Sequence, residues 1–130
     1  MTGPQPVVDE APAARFARTP SPPYLAVVFT SQRHGDDDGY GVTADRMVAL
    51  AVRQPGFLGI ESARDAEGFG ITVSYWTDEA AVLAWKHQVE HADARRRGRE
   101  HWYERYALRV ARVERAYGSG ARSAVAESST

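Results

Sequence analysis

The chain has 130 residues, 43% of them hydrophobic, and 16 basic against 17 acidic side chains give a formal charge of −1. That length supports one domain, and near-neutrality argues against a bulk electrostatic role on nucleic acid or an anionic membrane, leaving only local patches. The absence of cysteine removes disulfides, thiolate metal sites and a cysteine nucleophile, and no stretch approaches the roughly 18 apolar residues that span a bilayer.

Residues 1–23 hold every proline but Pro55. Proline lacks a backbone donor and pushes its predecessor out of the α region, so this stretch is expected to be a disordered extension. No apolar run follows a basic start, as a secretory signal requires, so a cytoplasmic location is expected. Tyr24–Arg33 reads as a largely buried strand and His34–Gly41 as an acidic, turn-rich loop. From about Thr43 the apolar positions Met47, Val48, Leu50 and Ala51 fall at helical spacing, until Pro55-Gly56 ends that helix. Phe57–Arg64 and Gly70–Trp76 read as two strands joined by a tight turn over Asp65–Gly68. Thr77 or Asp78 caps a second helix that runs to about Arg97 and is broken at Gly98. Trp102–Arg115 closes the domain as a strand, with a bulge or an edge location implied by the mixed parity of Arg109, Arg112 and Arg115. Residues 24–117 thus form the domain, and 118–130 are a Gly-, Ala- and Ser-rich flexible tail.

The order β-α-β-β-α-β is the ferredoxin-like α+β arrangement: a four-stranded antiparallel sheet with both helices on one face. The other face needs cover that so short a chain does not supply, which points to a homodimer with sheets packed face to face.

The element order, the Gln54-Pro55-Gly56-Phe57-Leu58-Gly59 step and the helix opening Trp76-Thr77-Asp78-Glu79-Ala80 resemble the antibiotic biosynthesis monooxygenase family. These are small proteins that dimerise into an α/β barrel, and the similarity covers roughly residues 24–117. The family includes cofactor-free oxygenases of quinols and anthrones as well as heme-degrading enzymes. Heme-degrading members use a tryptophan on the second helix, which Trp85 matches, and a later histidine, where Arg95 stands. They also use an asparagine on the first strand, where this chain has Phe29, Thr30 and Ser31. Cofactor-free members lean on a tryptophan, which Trp76 matches, and an asparagine, where Thr72 stands.

Among the side chains themselves, His87 and His91 lie one helical turn apart. With Trp85 at the centre of the buried stripe, His91 falls at its edge and His87 further toward solvent. His91 is the candidate general base, since its titration range suits proton transfer near neutrality. Tyr75 and Tyr106 are the candidate oxyanion donors. Trp76, Trp85, Phe29 and Trp102 are candidate walls for a flat ring, and Arg33 is a candidate anion contact. A histidine pair without a third ligand does not make a zinc site, and Asp36–Asp38 lack the spacing of a calcium loop. Three readings stay open. The leading one is a cofactor-independent monooxygenase acting on an aromatic, quinol-like or polyketide-like molecule of secondary metabolism. The others are a heme-binding protein using His91 and a non-catalytic dimer that binds a small hydrophobic ligand.

Overall fold

A computed structural model describes residues 15–33, 48–96 and 103–119. Its strands are β1 (Tyr24–Arg33), β2 (Phe57–Arg64), β3 (Phe69–Trp76) and β4 (Tyr103–Val113). Helical residues 48–52 are the described part of α1, and α2 covers Glu79–Arg96. The four strands form one sheet in the order β2-β3-β1-β4, antiparallel throughout. This is the ferredoxin-like fold that the periodicity predicts. β1 and β2 have the expected bounds, and β3 begins one residue earlier, at Phe69. The acidic loop, the start of α1 and Trp102 lie outside the described residues.

Turn chemistry fixes the connections. Gly56 has φ +87°, a backbone conformation that side-chain-bearing residues rarely adopt. Its carbonyl accepts the Thr77 amide at 2.9 Å, tying the start of β2 to the entry of α2. Asp78 is the cap, its Oδ1 accepting the Ala81 amide at 2.9 Å, and Glu79 adds a charge that favours the helix N-terminus. In the β2–β3 turn, Asp65 Oδ1 accepts the amides of Glu67 and Phe69.

The strands alternate between two faces. Leu25 and Val27 of β1 and Trp76 of β3 point to α2, where they pack with Ala51, Ala81, Val82, Trp85 and Val89. Each large side chain so buried contributes about 1.5–3 kcal/mol relative to exposure. The register slips between Gln32 and Arg33 against β4 and between Phe57 and Gly59 against β3. The irregularity on β4 is therefore at its first residues rather than among Arg109–Arg115, and β4 is an edge strand.

The opposite face departs from expectation at one end. Residues 15–23, read as part of a disordered extension, are laid on the sheet here. Ala17 and Thr19 are buried, and Ala17 rests directly on Gly59. The Ala17 amide donates to Glu61 Oε2 at 2.9 Å, and the Tyr24 hydroxyl donates to Thr19 at 3.1 Å. Proline limits backbone pairing here to an isolated bridge at Thr19 but does not prevent docking. The rest of this face stays open, with Phe69 45% and Ile71 42% exposed.

Candidate functional site

The α2 face of the sheet carries an aromatic wall and a polar corner. Trp76 is fully buried; its ring stacks on Trp85 at 5.6 Å and meets the edge of Phe57 at 5.5 Å. The Trp76 indole N–H donates to Ser74 at 2.9 Å, so its one polar atom is satisfied within the strand. Further along the same face, the rings of Phe29 and Tyr106 stand 5.2 Å apart, from β1 and β4. Tyr106 is 39% exposed, which leaves part of it open to a ligand.

The polar corner adjoins that pair. Ser31, opposite Tyr106 in the register, is 3% exposed and accepts a bond from Arg64 Nη2 at 2.9 Å. Arg64 Nη1 donates to the Gly68 carbonyl. To reach Ser31 the guanidinium crosses β3 over Gly70, where a Cβ would stand 2.7 Å from Arg64 Cζ. Beside it, the hydroxyls of Ser62 and Thr72 are hydrogen-bonded at 2.9 Å. A fixed guanidinium and a tyrosine hydroxyl next to aromatic rings form the kind of preorganised field that stabilises an oxyanion.

The sequence-predicted residues divide accordingly. Phe29, Tyr106, Trp76 and Trp85 share the α2 face. Tyr75 does not: adjacent strand residues point to opposite faces, so it lies on the far side of the sheet. There its hydroxyl donates to Glu61 Oε1 at 2.8 Å and its ring meets Tyr24 edge-on at 5.7 Å. Burial, reinforced by the Glu61 hydrogen bond and by the negative charge of Glu61, pushes the Tyr75 pKa well above the ordinary tyrosine value. Tyr75 thus lies with the arm contact, on the opposite side of the sheet from Trp76. Trp76 likewise contributes to the core rather than presenting a free ring. Arg33 ends β1, its amide donating to the Gly68 carbonyl at 3.0 Å. His87 is exposed beside Glu90 on the outer side of α2. His91 falls in the second half of α2, and its side chain is outside those described, as is Trp102. Arg64 and Glu61 were not singled out from the sequence, and Ser31 only as one of the positions where an asparagine would stand. The available signal was Gly70, placed in register between Arg64 and Ser31 once the hairpin is drawn. Among the described residues no group of three or more His, Asp or Glu side chains is placed to hold a metal ion, and no helix is long and apolar enough to cross a membrane.

Comparison with known proteins places this geometry. YqjZ of Bacillus subtilis (strain 168), a curated protein whose own function is uncharacterized, is 57% identical over 100 residues, spanning 77% of this chain and 88% of YqjZ. Among solved structures, SnoaB of Streptomyces nogalater, a cofactor-independent oxygenase, has a similar fold. It aligns with TM-score 0.53 and 18% identity over 78% of this chain and 99% of its own. A single-site variant of SnoaB aligns with TM-score 0.54 and 22% identity over 67% of this chain and 89% of its own. The sequence profile of the antibiotic biosynthesis monooxygenase family matches residues 23–97. With the fold, the Pro55-Gly56 step and the Trp76–Asp78 helix entry in agreement, this chain belongs to the antibiotic biosynthesis monooxygenase family.

Proposed function

We propose that this protein is a cofactor-independent oxygenase of a small aromatic, quinol-like substrate, with its chemistry on the α2 face of the sheet. The observation that carries the reading is the Phe29–Tyr106 pair beside the Ser31–Arg64 corner. A substrate of this class, once deprotonated, passes an electron to dioxygen itself, so the protein has to supply a base, a ring-binding surface and oxyanion stabilisation. His91 is the base in this proposal, from its register on α2 relative to Trp85. Tyr106 donates to the oxyanion, Phe29 and Trp102 hold the ring, and Arg33 contacts an anionic substituent. Tyr75 has no part. Membership of the family and the fold shared with SnoaB, a cofactor-independent oxygenase, support the reaction class.

A second copy of the chain is proposed to cover the open face through Ile71 and its neighbours, in a homodimer; sheet-on-sheet packing buries the exposed apolar residues there.

The test is dioxygen consumption with dihydroxynaphthalene and anthrone substrates in chelator-treated, flavin-free buffer. Wild-type protein is expected to consume dioxygen in step with substrate loss. His91→Ala is expected to lose about 10²–10⁴-fold of that rate, the usual cost of removing a positioned base. Full activity in the variant would overturn the base assignment, and an inactive wild type that retains a small molecule would replace the enzyme with a binding protein.

A further inference from the structure

Arg64 is the last residue of β2, and its side chain lies across the sheet on the α2 face. Gly70 is buried beneath it. A Cβ on Gly70 would stand 2.7 Å from Arg64 Cζ and 2.9 Å from Nη2, so the crossing exists only because residue 70 has no side chain. At the far end Ser31 Oγ accepts from Nη2 at 2.9 Å and the Gly68 carbonyl accepts from Nη1. Both acceptors are neutral oxygens, which orient the guanidinium and do not neutralise it.

The neighbours of this held charge suit an oxygen on a ring. Ser31 lies under the guanidinium and opposite Tyr106 in the β1–β4 register, so an oxygen above Ser31 has Arg64 on one side and Tyr106 on the other. Phe29, two residues before Ser31 and on the same face, stands 5.2 Å from the Tyr106 ring. Ser62 and Thr72, also on this face, are hydrogen-bonded at 2.9 Å; that bond uses one of their two hydroxyl hydrogens, and the other can turn to a ligand. The remaining charged or titratable groups around the corner are Arg33 at the end of β1, His91 on α2, and Asp65 and Glu67 in the β2–β3 turn, where two turn amides engage Asp65 Oδ1.

We infer that Arg64 binds the substrate as its anion: the ligand class is a flat phenol or enol whose ionised oxygen pairs with the guanidinium, and Gly70 is the positioning residue that lets Arg64 reach it. This rests on the reading that a ring lies against Phe29 and Tyr106. One proton leaves the ligand O–H, to His91 in that reading, and the remaining O⁻ is held by a charge-assisted hydrogen bond, which is stronger than a neutral one. Holding the anion and removing the proton are then separate duties. Arg64 lowers the pH at which the bound ligand ionises, and the base carries the proton away.

Binding of 4-nitro-1-naphthol to the full chain tests this without turnover, because its phenolate absorbs at longer wavelength than the neutral form. Bound to wild type, it is expected to ionise about one pH unit or more below the free compound, equivalent to about a tenfold preference for the anion. The methyl ether, 1-methoxy-4-nitronaphthalene, has the same ring without the ionisable group and is the control. Arg64→Gln is expected to return the ionisation to the free value while the ether binds as it does to wild type. Arg64→Lys keeps the charge without the planar fork and is expected to restore part of the shift. Gly70→Ala keeps every charge and is expected to behave like Arg64→Gln, because the Cβ displaces the guanidinium. No binding of the naphthol, an unshifted ionisation in wild type, or a full shift in Arg64→Gln or Gly70→Ala would overturn the inference. Equal weakening of naphthol and ether in Arg64→Gln would overturn it too, as the mark of a structural role alone. Dioxygen uptake is read separately. An inactive protein with the Arg64-dependent shift keeps this inference and loses the oxygenase, and an active one without the shift does the reverse.

Discussion

Glu61 and Tyr75 face each other across β2 and β3, and the carboxylate divides its two oxygens between the Tyr75 hydroxyl at 2.8 Å and the Ala17 amide at 2.9 Å. One side chain thereby anchors the N-terminal arm and fixes the tyrosine beneath it. Glu61→Ala is expected to leave both donors without this partner and to cost about 1–3 kcal/mol. Denaturant unfolding measures the loss, and amide exchange at Ala17 is expected to accelerate with it. Unchanged protection at Ala17 would mean that the arm is held by other contacts.

Alkaline titration provides a second check on the same contact. Because the folded-state pKa of Tyr75 is raised above its unfolded value, the associated stability is fully present below the ordinary tyrosine value, about 10, and is lost as pH rises beyond it. One tyrosine is therefore expected to ionise later than the others in an ultraviolet titration. Glu61→Gln is expected to bring that value down without reaching the ordinary one, since burial remains. A titration in which all tyrosines ionise together would contradict the assignment.

The strands were legible from their apolar runs and the hairpin from its Asp65–Gly68 turn, since both signals are local. Face assignment was within reach but not applied to β3: the sequence reading groups Tyr75 with Trp76, although adjacent residues in a strand point to opposite faces. The arm was not legible. Its proline content speaks only against regular pairing, whereas the docking depends on Gly59 and Glu61, more than 40 positions away. The Ser31–Arg64 bond spans a similar gap and requires the registers of two strand pairs. Long-range contacts between polar side chains leave no periodicity in a sequence.

The Trp76–Trp85 stack is structural. Trp76→Ala is expected to cost about 3–5 kcal/mol, the range for emptying a large aromatic site in a packed core. Thermal melting measures it. A variant with wild-type stability would show that this wall is not part of the core.

The open sheet face makes an equally direct prediction about assembly. Light scattering is expected to give twice the 14.3 kDa chain mass, and Ile71→Arg, which places a charge among the exposed apolar residues, is expected to return the protein to monomer. A wild-type mass of one chain at micromolar concentration would contradict the homodimer.

Comparing Tyr106→Phe with Tyr75→Phe tests most directly the claim that the chemistry lies on the α2 face. Each variant removes one hydroxyl, from opposite sides of the sheet, and dioxygen uptake with a dihydroxynaphthalene is the readout. The Tyr106 variant is expected to fall about 10²–10³-fold, the usual cost of one oxyanion donor, while the Tyr75 variant keeps its rate and loses only stability. Loss of uptake in Tyr75→Phe with full activity in Tyr106→Phe would contradict the account.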